Sequence, residues 1–327
     1  MLLVENFSID PYYNLAAKEY FLKKVPDDVV MLWRNDRAVV VGKNQNSTEE
    51  IDAAYVEDRK IAVVRRLTGG GAVFHDLGNV NFTIISEDRA GEQFNDYALF
   101  TKPVRLFLET LGIRTELSGR NDLLVDGRKF SGNAQARYGG RMLHHGTILF
   151  DSNMGDLAGA LNPGPLKLES KAVKSTKSRV ENLISHLPEP MTVERFCAEL
   201  RRFFLTYFPQ ASPYGIGPAD DAEIRALVRQ KYGTWEWNYG ESPPYTFRNV
   251  KRFPFGIVDL RMEVVEGRIQ NARFFGDFFG RREIDGLERA LKGVRHSRDA
   301  LEDLLRGIPV GEYLSGCSRA ELSGLFF

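Results

Sequence analysis

Arg65-Arg66-Leu67-Thr68-Gly69-Gly70-Gly71-Ala72-Val73-Phe74-His75-Asp76 is the stretch from which the rest of this 327-residue chain reads most directly. Three consecutive glycines remove every Cβ from a loop tip, so backbone N–H groups can wrap an anion that bulkier residues would hold off. Two arginines at the end of the apolar run Ile61 to Val64 add guanidinium groups suited to phosphate or carboxylate. A dinucleotide or Walker loop would need fixed glycine or Gly-Lys-Ser/Thr spacing leading into a helix, and neither is present. Downstream, Val80, Phe82 and Ile84 alternate with Asn81 and Thr83, which predicts a strand. The stretch therefore reads as strand, anion-binding loop, strand.

Working outward, the length predicts one large and one small domain. Lys+Arg (44) balances Asp+Glu (44), so nothing marks the chain as a nucleic-acid binder. Cys197 and Cys317 are the only cysteines, too few and too far apart for a disulfide framework or a zinc site. Met1 to Asp10 alternates like a strand and carries no signal-like basic and apolar regions, and no apolar run approaches the roughly 20 residues that span a bilayer. A cytoplasmic protein with no membrane partner is expected.

Asp10-Pro11 predicts a capped helix in which Tyr13, Ala16, Ala17, Tyr20 and Phe21 recur at helical spacing. Strands follow at Val29 to Trp33 and Ala38 to Val41; Trp33 is either core or the wall of an apolar pocket. Thr48 is a candidate cap for a short helix through Tyr55, and Tyr97 to Leu111 reads as an amphipathic helix interrupted by Pro103.

Asp126-Gly127 between two extended runs predicts a hairpin, with Asp122 and Lys129 on adjacent antiparallel strands. Small residues at Ser131-Gly132-Asn133-Ala134 leave room for a ligand beside Lys129. Asp122 can hold Mg²⁺ or form a cap or salt bridge. In the strand Leu143 to Phe150, His144 and His145 point to opposite faces, so one at most faces the Lys129 pocket. Lys167, Lys171, Lys174, Lys177 and Arg179 crowd a Pro/Ser-rich segment that is either solvated or a lid over a phosphate ester.

The segments 65–79, Gly-Arg-Asn-Asp at 119–122, Arg-Lys-Phe-Ser-Gly-Asn-Ala at 128–134 and His-His-Gly-Thr at 144–147, taken in this order, resemble the lipoate-protein ligase family. Tyr-Asn-Leu-Ala at 13–16, Leu-Trp-Arg-Asn at 32–35 and Trp-Glu-Trp-Asn at 235–238 extend the likeness along the whole chain. The resemblance implies an α+β fold: a biotin/lipoate-ligase-like catalytic domain of mixed β-sheets with helices at 1–243, then a small α+β accessory domain at 244–327. In the latter, strands at Phe255 to Val265 and Arg268 to Phe275 and helices at Ile284 to Leu291 and Arg298 to Leu305 are expected.

It further implies that lipoate and ATP, with Mg²⁺, form lipoyl-AMP and pyrophosphate. The lipoyl group then passes to a lysine of apo lipoyl domains in 2-oxoacid dehydrogenase complexes and the glycine cleavage H protein; separately from the resemblance, a monomer is expected. Carried over by residue, Lys129 is catalytic, and Arg66, Gly71, Ala72, Val73, Phe74, Asn79 and Lys129 bind ATP. Leu15, Ala17, Trp33, Arg66, Gly71, His75, Lys129 and His145 line the lipoate site, and Asp122 is the candidate metal ligand. Lys18 departs from the family pattern, in which an acid is frequent at this position.

Alternatives remain at this stage. A transferase using preformed lipoyl-AMP would carry the same loop and lysine. An octanoyl or lipoyl transferase of the same fold would need an activated thiol, and no cysteine falls within the motifs. A non-catalytic adenylate-binding module is the third.

Overall fold

The computed structural model describes residues 1–88, 90–119, 121–161, 180–239, 247–265, 267–296 and 298–326. Fourteen strands occur among them: β1 Leu2–Glu5, β2 Val29–Trp33, β3 Ala38–Val41, β4 Ala62–Arg65, β5 Val73–His75, β6 Asn79–Glu87, β7 Glu116–Ser118, β8 Asp122–Val125, β9 Arg128–Tyr138, β10 Arg141–Leu149, β11 Ser212–Gly215, β12 Phe247–Phe253, β13 Gly256–Val265 and β14 Arg268–Gly276. They build an eight-stranded sheet in the order β11-β1-β2-β6-β10-β9-β8-β7, a three-stranded sheet β4-β3-β5, and a second three-stranded sheet β12-β13-β14. The large sheet is mixed: β1 is parallel to both β11 and β2, whereas β6, β10 and β9 pair antiparallel.

Strand periodicity sorts the side chains of the large sheet onto two faces. Val30 and Leu32 of β2, with Val80, Phe82 and Ile84 of β6, pack on one core with Phe100, Phe107, Phe196 and Phe204 from helices Tyr97–Thr110 and Val193–Tyr207. Val29, Met31 and Trp33 turn to the other face, beneath helix Pro11–Lys24 and Ile224 of helix Pro218–Leu227. On β6 that second face carries the polar set Asn79, Asn81 and Thr83, all buried. A buried polar stripe on one face marks where the sheet meets a site rather than a core.

Asp10 caps helix Pro11–Lys24 through the Tyr12 N–H, with Pro11 at its first position, as its sequence predicts. Pro103 is accommodated within the continuous helix Tyr97–Thr110. The helix expected from Thr48 to Tyr55 is two short ones, Ser47–Glu50 and Ala53–Asp58, the second capped by Asp52 accepting from the Tyr55 N–H. β5 is not legible in the sequence, because three residues are too few for a period to show.

The last 80 residues or so have a core of their own, including Leu260, Phe274, Leu287, Leu301 and Phe326. Helices Asp285–Leu291 and Arg298–Arg306 match expectation. β12 and the helices Val310–Tyr313 and Arg319–Ser323 add to it. The boundary expected at 243/244 and the lysine-rich segment 167–179 lie outside the described residues. No helix among the described residues is long and apolar enough to cross a membrane.

Candidate active site

The glycine loop is held by arginine–carbonyl bonds. Arg66, 5% exposed, donates Nε–H to Thr68 Oγ1 (2.9 Å), Nη1–H to the Val40 carbonyl (2.9 Å) and Nη2–H to the carbonyls of Gly69 and Gly71 (both 2.8 Å). With the two carbonyls drawn to the guanidinium, the N–H groups of Gly69, Gly70 and Gly71 carry no hydrogen bond to any described residue. That is the donor arrangement an anion requires. Burial, then the neighbouring Arg65, lowers the Arg66 pKa to about 10, which leaves it charged at neutral pH.

Arg65 is not an anion ligand, contrary to the reading of both arginines as phosphate-facing. It donates to the carbonyls of Gly42, Lys43, Gln45, Trp237 and Asn238 and to Ser47 Oγ, while its own N–H bonds Asn238 Oδ1. The Trp235–Asn238 motif thus acts by tying down the strand that delivers the loop.

Close approach constrains the glycines as much as anion binding does. Gly70 has φ +93°, and a Cβ there would meet the Phe279 ring at 2.9 Å, so the C-terminal unit closes directly on the loop. Beneath it, a Cβ on Gly42 would fall 1.9 Å from the Gly70 carbonyl oxygen. Neither Gly42 nor Phe279 was singled out in the sequence, because only tertiary folding brings them to the loop. Gly42→Ala is expected to displace the loop by an ångström or more and weaken nucleotide phosphate binding there on the order of 10²-fold, a loss that titration with ATP would register.

Lys129 stands on β9 across the cavity from this loop. Its side chain lies over Gly132, where a Cβ would be 3.1 Å from Nζ, so the small residue makes room for the lysine itself. Nζ pairs with Asp122 Oδ1 at 2.8 Å, across the hairpin turned by Asp126 (φ +49°) and Gly127 (φ +74°). This ion pair is the second of the two readings of Asp122. No group of three or more metal-ligating side chains occurs among the described residues. Asp122 alone suits Mg²⁺ only when phosphate oxygens and water complete the shell.

One cavity collects Arg66, Gly71, Ala72, Val73, Lys129, Trp33, His75 and His145, together with Lys18, Asn81, Asn121 and Asn133. Five expected residues do not line it, among them Asp122, which meets it only through its ion pair with Lys129. Phe74 alternates with Val73 and His75 along β5 and packs instead with Val39 and Val63 in the small sheet's core. Asn79 donates to Asn81 Oδ1 (3.0 Å), so it supports a lining residue. Leu15 and Ala17 belong to the core around Trp33.

The two histidines separate as strand geometry predicts. His144 stacks on Phe100 (4.9 Å, 8°) on the far face, whereas His145 enters the cavity between Thr68 Oγ1 and Lys18 Nζ, 2.8 Å from each. Burial holds the His75 and His144 pKa values down to about 3 and that of His145 well below its ordinary range. For His75 and His145 the charges of Lys18 and Arg66 push the same way. Neither thiol reaches the cavity, and burial raises both, Cys317 to about 12. A cysteine-nucleophile mechanism is therefore unsupported.

Residues 10–205 match the lipoyl protein ligase A/B catalytic domain, and 242–326 match the bacterial lipoate protein ligase C-terminus. The chain is 40% identical over the full length of both proteins to lipoate-protein ligase LplJ of Bacillus subtilis. Among solved structures it is similar to LipL1 of P. falciparum in complex with lipoate (26% identity, 94% of each chain covered, TM-score 0.79). A lipoate-protein ligase A bound with ATP also matches (25% identity, 73% of this chain and 97% of that one, TM-score 0.61). The chain belongs to the lipoate-protein ligase family.

Proposed function

We propose that this chain joins lipoate to ATP in the cavity described, giving lipoyl-AMP and pyrophosphate, and then passes the lipoyl group to a lysine amine of an apo lipoyl domain, releasing AMP. The observation that carries the reading is the convergence of three unbonded glycine N–H groups, the Lys129 ammonium and the Trp33 wall in one cavity. The glycine N–H groups bind phosphate oxygens. Lys129 Nζ sits between the lipoate carboxylate and the α-phosphorus, where negative charge builds as the carboxylate oxygen attacks. Arg66 acts through the loop it shapes, with one N–H left over for the nucleotide. Asp122 would hold Mg²⁺ on the nucleotide, a metal that screens phosphate charge when bound.

We assign residues 1–243 to catalysis and 244–327 to an accessory domain that closes on the loop through Phe279, keeping water from the mixed anhydride. The acceptors are taken to be lipoyl domains of 2-oxoacid dehydrogenase complexes and the glycine cleavage H protein. We place the enzyme in the cytoplasm as a monomer. Incubating the protein with ATP, Mg²⁺, lipoate and an apo lipoyl domain is expected to add one lipoyl group to the acceptor by intact mass. An acceptor whose mass stays unchanged would refute the transfer step.

A further inference from the structure

The end of the cavity away from Lys129 is more polar than a saturated chain requires. Trp33 on β2 and Lys129 on β9 are separated by β6 and β10, three strand spacings or roughly 14 Å at about 4.8 Å each. A ligand whose carboxylate lies at Lys129 therefore extends its far end towards Trp33, where Lys18 and His75 flank the indole. Lys18 Nζ lies 4.3 Å from the Trp33 ring centroid, and the His75 ring 5.9 Å from it.

A chain of amides fixes the His75 tautomer. Asn6 Nδ2 donates to Asn14 Oδ1 (2.7 Å), Asn14 Nδ2 shares its two N–H groups among Asn35 Oδ1 (2.8 Å) and the carbonyls of Arg34 (2.9 Å) and Ser8 (3.1 Å), and Asn35 Nδ2 is left to donate to His75 Nδ1 (3.1 Å). The neutral ring then carries its proton on Nε2, which is buried and has no partner among the described residues. Lys18 is 3% exposed, and its Nζ has His145 Nδ1 as its hydrogen-bonding neighbour, with Arg66, His75 and His145 as the titratable groups facing it. The next residue, Glu19, turns away to Lys23, Lys231 and Tyr232. Burial, reinforced by Arg66, holds the Lys18 amine well below the ordinary ammonium range. One bond to His145 leaves at least one amine N–H over.

We infer that Lys18 and His75 are specificity-determining residues: they present N–H donors at the inner end of the cavity and select acyl chains whose far end carries electron-pair acceptors over unsubstituted chains of the same length. The inference rests on the ligase reading above. The sulfurs of a dithiolane ring are weak acceptors and polarisable partners for Trp33. An octanoyl methyl end satisfies neither donor and leaves both buried polar atoms desolvated.

The test is pyrophosphate release by wild type, Lys18→Met and Lys18→Gln with lipoate and with octanoate. Lys18→Met keeps the side-chain volume and removes the donor. It is expected to reduce the lipoate-to-octanoate ratio of kcat/KM about tenfold, chiefly through a lower octanoate KM, while Lys18→Gln, which retains an N–H, stays within about twofold of wild type. Equal changes for both acids in Lys18→Met would mean that Lys18 only supports the pocket, and would overturn the inference while leaving the ligase reading intact. Release with neither acid in wild type would overturn both.

Discussion

Replacing Lys129 with alanine lowers lipoate-dependent pyrophosphate release by an expected factor on the order of 10³, about 4 kcal/mol of transition-state stabilisation. The size follows from where the charge sits. Nζ faces the glycine loop across the cavity, and its partner Asp122 is 36% exposed, so the ammonium can leave that pair for a reacting phosphate. An ion pair this exposed contributes at most about 1 kcal/mol to folding. Thermal unfolding should therefore shift by only a few degrees while kcat collapses. Because the ammonium is needed most as charge builds during attack, kcat and kcat/KM should fall together. A rise in KM with unchanged kcat would mean that Lys129 merely binds the substrates.

Acidification from pH 7 to pH 5 is expected to destabilise the fold by several kcal/mol. His75 and His144, held down to about 3, and His145, held well below its ordinary range by burial, stay neutral in the folded protein across this range. Unfolded, each imidazole titrates near 6.5, so the denatured chain takes up protons that the native chain refuses. Stability from these groups is whole above about pH 7 and is lost as pH falls through 6.5 towards the folded values. The loss is roughly 2 kcal/mol per histidine by pH 5. Lys18 adds to it wherever its amine stays neutral in the fold and is protonated in the unfolded chain. Carboxylates titrate mostly below this window. Urea unfolding at pH 7 and pH 5 measures the difference. Equal stabilities at the two pH values would show that the buried imidazoles take up protons without penalty.

How legible the site was in the sequence depended on whether its cause was local. Three glycines and an Asp-Gly turn declare themselves, because backbone conformation is a property of the residues present. Alternation at Val80 to Ile85 announced both the core face and the polar stripe of β6. The same alternation governs β5, yet in three residues it could not be seen, and Phe74 was grouped with its neighbours although it faces the opposite way. Leu15 and Ala17, assigned to the lipoate site by resemblance alone, lie on a helix buried on nearly every side, including at Asn14, Lys18 and Glu19, so nothing in its own periodicity marks the face that meets the cavity. Gly42, Phe279 and the bonding of Arg65 depend on segments distant in the chain. Lys18 departs from the family pattern in the sequence itself, but its place between Trp33 and His145 follows only from the fold.

Carboxylate activation belongs to this chain itself. Pyrophosphate measured from wild-type protein with ATP, Mg²⁺ and lipoate, in the absence of any acceptor, tests it most directly. Lipoate-dependent release approaching one equivalent per enzyme, with lipoyl-AMP retained on the protein, is the predicted result. No release, together with lipoylation of an acceptor once lipoyl-AMP is supplied, would contradict it and make the chain a transferase.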